Sequence, residues 1–189
     1  MTSAMDWAAN DPRAPASYER YLAPAMFAPL AAAVVDAVEV GAGERALDVA
    51  CGTGVLTRAI ASRTGTGGHV TGLDLGEGML ARARAWPPVE GDAPIDYVQG
   101  SAEQLPFGDG AFSVVTCQQG LQFFPDRDAA LRQFRRVLAP GGRLGVACWT
   151  DLPDTAGWFA LTEAIEHHVG RDVADILRAP YAVSDPGEL

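Results

Sequence analysis

The 189-residue sequence predicts an α/β fold, a parallel sheet with helices on both faces. Three observations predict it. Short apolar runs alternate with segments of helical spacing from Arg45 to Trp149. The first apolar run ends in a glycine-punctuated turn, Cys51-Gly-Thr-Gly54, and helical spacing follows at once. The second apolar run ends in an acid, Asp74, 22 residues beyond Gly52. The length suits one compact domain with a real core.

The elements follow in order. Residues 1–15 are polar and proline-dotted and read as a flexible N-terminus. Residues 16–40 read as helical, and Pro24 and Pro29 divide them into two short helices. Residues 41–150 form the α/β core. Its expected strands are Arg45 to Ala50, His69 to Leu75, Ile95 to Gln99, Phe112 to Cys117 and Leu144 to Trp149. Its expected helices are Val55 to Ser62, Gly78 to Ala85 and Asp126 to Leu138. The last of these places Leu131, Phe134, Val137 and Leu138 on one face. Pro140-Gly-Gly142 reads as a turn before the fifth strand. Residues 151–189 read as a C-terminal helical segment, with helices over Thr155 to Val169 and Arg171 to Arg178. Ser184-Asp-Pro-Gly reads as the start of another helix, so the expectation is a piece of a longer protein.

Composition narrows the function. The formal net charge is −10, and all 14 basic residues are arginine. A protein that neutralises nucleic-acid phosphates needs a basic face, so the balance argues against a nucleic-acid partner. Without lysine there is no Schiff-base chemistry and no lysine-bearing phosphate loop. Cys51, Cys117 and Cys148 are widely spaced and form no CxxC pair, as reduced thiols of a cytoplasmic protein do. No apolar run reaches membrane-spanning length, and the N-terminus lacks the pattern of a signal peptide, so no membrane partner is expected. Nothing has metal-ligand spacing, and no metal is expected.

The chemistry centres on the turn after the first strand. Glycines let the loop backbone approach a ligand, and the helix behind it offers unpaired N–H groups. Ligands of open α/β sheets bind there, beyond the carboxyl ends of the strands. Asp74 is placed to accept hydrogen bonds from both hydroxyls of a ribose, or else to cap the following helix. The dinucleotide fingerprint requires a glycine where this chain has Thr57. Asp48 would repel a pyrophosphate and welcome a sulfonium, directly or through water. The loop therefore prefers S-adenosylmethionine over NAD.

Four motifs then carry a resemblance over roughly Tyr18 to Trp149. Leu47-Asp-Val-Ala-Cys-Gly-Thr-Gly54 resembles motif I of the class I S-adenosylmethionine-dependent methyltransferases, and Gly72-Leu-Asp-Leu75 resembles motif II. Gly100-Ser-Ala-Glu-Gln-Leu-Pro-Phe107 resembles their adenine-binding stretch, and Arg136-Val-Leu-Ala-Pro-Gly-Gly-Arg143 the turn before strand five. The branch it is most similar to is that of the small-molecule ubiquinone/menaquinone biosynthesis C-methyltransferases.

The resemblance implies a Rossmann-like sheet in which two further strands, one antiparallel, follow the fifth; here none is legible after Trp149. It implies that the backbone around Cys51, Gly52 and Gly54 holds the methionine tail, with Asp48 and Ala50 also counted as cofactor-binding, and that Asp74 holds the ribose. Leu75 and Met79 would pack on the adenine, Ser101, Ala102 and Glu103 would meet its edge, and Gln118 would face the tail. Two positions depart from the pattern: Ser101, where aspartate is common, and Ser113, where aspartate is common after phenylalanine. Residues 16–40 would form a lid carrying Tyr18, Tyr21, Met26 and Phe27. The acceptor would meet Tyr18, Tyr21, Gln119, Gln122 and Phe123, unless the aromatics Phe123 and Phe124 merely anchor the next helix. His167 and His168 read as surface residues and Glu163 and Glu166 as a solvated face, so no catalytic base is assigned. The implied function is in-line methyl transfer to carbon, oxygen or nitrogen of a small-molecule acceptor. The alternative is a non-catalytic S-adenosylmethionine-binding or regulatory module.

Overall fold

A computed structural model describes residues 13–150 and 152–183. Residues 1–12 of the expected flexible N-terminus, and the helix start expected at Ser184, lie outside them. Five parallel strands form one sheet: β1 Arg45–Val49, β2 His69–Asp74, β3 Ile95–Gln99, β4 Phe112–Gln118 and β5 Leu138–Ala147, in the order β3-β2-β1-β4-β5. The five strands and their parallel pairing are those expected, with ends moved by a residue or two except at β5. The order reverses between β1 and β4, and the crevice above that point is the ligand position of such sheets.

The three inner strands, β1, β2 and β4, are buried on both faces, so they read as apolar runs rather than alternations, while the edge strands β3 and β5 are only partly buried. Alternate residues still divide between two cores. Ala46 of β1, Val70 of β2 and Val114 of β4 pack with Val34, Val35, Leu56 and Ile60. Leu47, Val49, Leu73, Val115 and Cys117 pack on the opposite face with Phe134 and Val137. The helices that supply these faces are α2 Ala28–Ala37, α3 Val55–Thr64 and α5 Arg127–Val137; α4 Glu77–Arg84 follows β2. α5 begins on Asp126, whose carboxylate accepts from the Ala129 N–H at 2.8 Å.

Two expectations need correction. The proline-interrupted pair of short helices is one helical run: α1 Ala14–Ser17, a π-helical stretch Tyr18–Phe27 and then α2. Pro29 lies in the first turn of α2, where its missing N–H leaves no gap. Pro24 lies inside the π-helical stretch, whose wider turn takes it without ending the helix; there the Ala28 N–H donates to Ala23, five residues back. The second correction is at Pro140–Gly142, which is not a turn before the fifth strand. β5 already pairs with β4 at Leu138↔Phe112, and its next partners are Arg143↔Val114. The segment between them bulges out of the strand, with Gly141 at φ +77°.

Beyond β5, α6 Ala156–His168 and α7 Arg171–Arg178 form a helical hairpin, close to the expected pair. The Trp158 indole N–H donates to the Leu177 carbonyl at 3.1 Å, and Arg178 ties the two helices through Glu163 and Glu166.

Candidate functional site

The crevice is built from the loops that leave β1, β2 and β4. After β1 the chain turns through Ala50 at φ +58°, Gly52 at φ +57° and Gly54 at φ +81° before α3 begins. The Cys51 N–H donates to the Leu73 carbonyl at 3.0 Å, which pins this loop to the end of β2. After β4, Gln119 also takes a left-handed conformation, φ +58°. Left-handed backbone at a residue with a side chain costs about 1–3 kcal/mol. Ala50 and Gln119 carry that strain at the ends of the two strands that flank the reversal of strand order.

Asp74 joins the first two loops. Its Oδ2 accepts from the Gly52 N–H at 2.8 Å and its Oδ1 from the Gly76 N–H at 2.8 Å. It therefore opens the turn into α4 and also fixes the glycine loop, and each oxygen keeps a lone pair for a further donor. Burial pushes its carboxyl above the ordinary range, against the pull of the Gly76, Gly52 and Leu75 N–H groups. A Cβ at Gly52 would meet nothing within 4 Å, so the loop backbone there faces open space. Beside it Leu75 is 58% exposed, an apolar platform at the end of β2, with Met79 half-buried on α4.

Asp48 lies under the loop. Alternation along β1 aims it toward α3, where the Thr57 hydroxyl donates to Oδ2 at 2.7 Å. The Thr116 hydroxyl donates to Oδ1 at 3.1 Å. Burial pushes this carboxyl up to about 7, while the two hydroxyls pull it down. Thr57, which departs from the dinucleotide fingerprint, is thus the hydroxyl that holds Asp48. The Cys51 thiol is raised well above its ordinary value by burial and by both carboxylates.

Over the loop lies the π-helical stretch. Tyr18 stacks on Phe27 with ring centres 5.1 Å apart, and the Gln118 amide donates to the Phe27 carbonyl at 3.2 Å. A cavity of about 20 Å3 remains between Tyr18 and Phe27 above and Asp48, Ala50, Cys51 and Gln118 below. The Gln118 Oε1 is buried without a partner among the described residues. A larger, open recess of about 530 Å3 lies at the start of α5, walled by Leu121, Phe124, Asp126 and Arg127. None of the expected cofactor residues is among its walls, whereas Asp48, Ala50, Cys51 and Gln118 line the smaller cavity.

The other expected residues divide. Ala102 is buried, and the Ser101 Oγ accepts from the Glu103 N–H at 3.2 Å. The Glu103 carboxylate turns to α5 and accepts from the Asp126 N–H at 2.9 Å. Tyr21 is 61% exposed and is not brought to the cavity. The Gln122 amide donates to Gln119 Oε1 at 3.1 Å, and Phe123 is half-buried beside them. Phe124 meets Phe134 edge-on at 6.4 Å, which is the anchoring role. His167 and His168 are exposed on α6. Among the described residues, no cluster of three His, Cys, Asp or Glu side chains could hold a metal ion. No helix there is long and apolar enough to cross a membrane.

Sequence reasoning missed Tyr97. Its ring lies against Gly72 and its hydroxyl reaches Gly54, where a Cβ would come within 2.4 Å of it. The legible signal was Gly72, a glycine inside a strand, which marks a close approach. Arg58 was missed too; its spacing on α3 carries no signal.

The parallel sheet, its reversed strand order and the strained glycine loop bound to an acid define a nucleotide-cofactor domain of the α/β class. The chain belongs to the ubiE/COQ5 methyltransferase family, whose model matches residues 30–153. It is 39% identical over 128 residues to a demethylmenaquinone methyltransferase of Listeria welshimeri, covering 67% of this chain and 53% of that protein. A demethylmenaquinone methyltransferase of Bacillus subtilis is 39% identical over 116 residues, covering 61% and 49%. The solved structure of an S-adenosylmethionine-dependent methyltransferase from Mesorhizobium loti matches with a TM-score of 0.52 at 32% identity, covering 61% of this chain and 50% of that one. The chain spans about half the length of the curated relatives it matches.

Proposed function

We propose that this chain is the cofactor-binding core of an S-adenosylmethionine-dependent methyltransferase acting on a small-molecule acceptor. The observation that carries the reading is Asp74, which holds the Gly52 N–H at 2.8 Å and keeps free lone pairs beside an open loop backbone. Those lone pairs suit the two hydroxyls of a ribose. Exposed Leu75, with Met79, suits an adenine face. Asp48 and Asp74 put two carboxylates around the loop, and no cationic side chain walls the cavity. That balance suits a sulfonium and opposes a pyrophosphate. In this reading residues 41–150 hold the cofactor, residues 16–40 cover it and residues 151–189 carry the helical hairpin.

S-adenosylmethionine supplies an electrophilic methyl group, so the protein's part is to bind, orient and exclude water. The loop N–H groups and Asp74 fix position, and the Tyr18–Phe27 pair shuts out solvent. The names of the relatives make a demethylated quinone precursor the first acceptor to assay. The test is a labelled-methyl assay of the protein against quinols, phenols, amines and carboxylates. Label incorporated into one of these classes supports the reading; none in any class opposes the catalytic part of it.

Asp48 gives this reading a pH signature. Its carboxyl is raised in the fold to about 7, against an unfolded value of about 3.9. Its contribution to stability is complete below the unfolded value and is lost as pH rises through about 7. Asp48→Asn removes that decline, which denaturant melts across pH would show. A bound cation favours the ionised form. Preference for S-adenosylmethionine over the uncharged-sulfur product therefore grows as pH rises through about 7, and stays flat in Asp48→Asn. The ratio of the two dissociation constants across pH checks this.

A further inference from the structure

We propose that Arg58 is a positioning residue that latches the Tyr18–Phe27 stretch over the glycine loop through its ion pair with Glu19. The proposal rests on the reading above that the loop holds a cofactor.

Arg58 sits one turn into α3 and reaches three structures at once. One guanidinium nitrogen donates to the Thr53 carbonyl, inside the glycine loop, at 2.7 Å. Another pairs with Glu19 Oε1, on the π-helical stretch, at 3.3 Å. The guanidinium plane lies over the Trp86 ring, 4.4 Å from its centre. Trp86 follows α4, so the cation rests on a platform that belongs to neither the loop nor the lid.

The pair is set to matter. The side chains of Arg58 and Glu19 are 24% and 16% exposed, so solvent screens them less than a surface pair. Glu19 Oε2 is buried with no partner among the described residues, so Arg58 is the cation that holds this carboxylate. Removing Arg58 leaves a half-buried charge unpaired. The stretch it holds is less self-supporting than an α-helix: it is π-helical, and Pro24 gives it no N–H to donate.

The stretch also has to move. The cavity beneath Tyr18 and Phe27, about 20 Å3, holds roughly one water. An amino-acid tail with a sulfonium needs far more room. Entry and release then require the Glu19–Arg58 pair and the Gln118 to Phe27 hydrogen bond to part. Of the two, the ion pair is the one that ties lid position to the glycine loop, because the same guanidinium grips Thr53.

Hydrogen exchange on the ligand-free chain tests the latch without reference to a cofactor. In both Arg58→Gln and Glu19→Gln, amides of the Tyr18–Phe27 stretch are expected to exchange about tenfold faster, with α6 amides unchanged. The double variant is expected to add little to either single change, the mark of one shared interaction. Release of labelled S-adenosylmethionine is expected to speed by about five- to tenfold in each variant. Glu19→Gln alters only the lid side, so it reports even where Arg58→Gln disturbs the loop. Exchange at the wild-type rate in both variants overturns the latch. If exchange quickens but the wild type binds no cofactor, the latch stands and the cofactor reading falls.

Discussion

Asp74→Ala is expected to weaken S-adenosylhomocysteine binding by about a hundredfold or more. Two effects add. The ribose would lose hydrogen bonds to a charged acceptor, each worth about 1.5–3 kcal/mol, and 1.4 kcal/mol is tenfold in affinity. The glycine loop would also lose one of its two ties to β2, because the Gly52 N–H donates to this carboxylate at 2.8 Å, and only the Cys51 N–H to Leu73 bond would remain. Asp74→Asn is expected to fall between the two, since an amide keeps one acceptor oxygen but turns a donor toward the two backbone N–H groups. Calorimetric titration of both variants measures this. Affinity within threefold of wild type in Asp74→Ala would mean that the acid serves only to hold the Gly52 and Gly76 turns.

Gly54→Ala is expected to lower stability by about 2–4 kcal/mol, from two separable causes. Gly54 has φ +81°, a conformation that disfavours any side chain. Its new Cβ would also lie 2.4 Å from the Tyr97 hydroxyl and 3.1 Å from Tyr97 Cζ. Tyr97→Phe removes the nearer of these atoms. That change alone is expected to cost no more than about 1 kcal/mol, the worth of one hydrogen bond, because the hydroxyl lies beside the Arg58 guanidinium. The double variant should then recover the larger share of the steric loss, with Tyr97 Cζ and Arg58 Nη1 still 3.1 and 3.2 Å from the new Cβ, and keep the conformational part. Denaturant melts of the two singles and the double resolve it. A double variant no more stable than Gly54→Ala would place the whole loss in the backbone.

Much of this architecture could be read from periodicity, and the exceptions have physical reasons. The inner strands β1, β2 and β4 are buried on both faces, so apolar runs located them, and glycine and proline marked most strand ends. β5 begins earlier than its apolar run because backbone pairing at Leu138 precedes the bulge at Gly141. Backbone hydrogen bonds leave no trace in side-chain pattern. The π-helical stretch was hidden for a related reason. Pro24 ends an α-helix by the usual rule, and only the wider turn lets the chain continue.

At the site, the glycine loop and Asp74 were legible because their spacing is local and their chemistry is distinctive. The partners across the fold were not. Thr57 and Thr116 reach Asp48 from α3 and β4, which only the sheet register brings together. Glu103 turns to the start of α5, and Tyr21 turns to solvent, for reasons of packing that spacing does not encode.

On the proposed function, the glycine loop and its two carboxylates take a sulfonium nucleoside rather than a dinucleotide. Parallel calorimetric titrations of the protein with S-adenosylmethionine and with NAD test it most directly. Saturable binding of S-adenosylmethionine at one site per chain, lost in Asp74→Ala, is expected, with no measurable heat from NAD. Saturable heat with NAD and none with S-adenosylmethionine would contradict it.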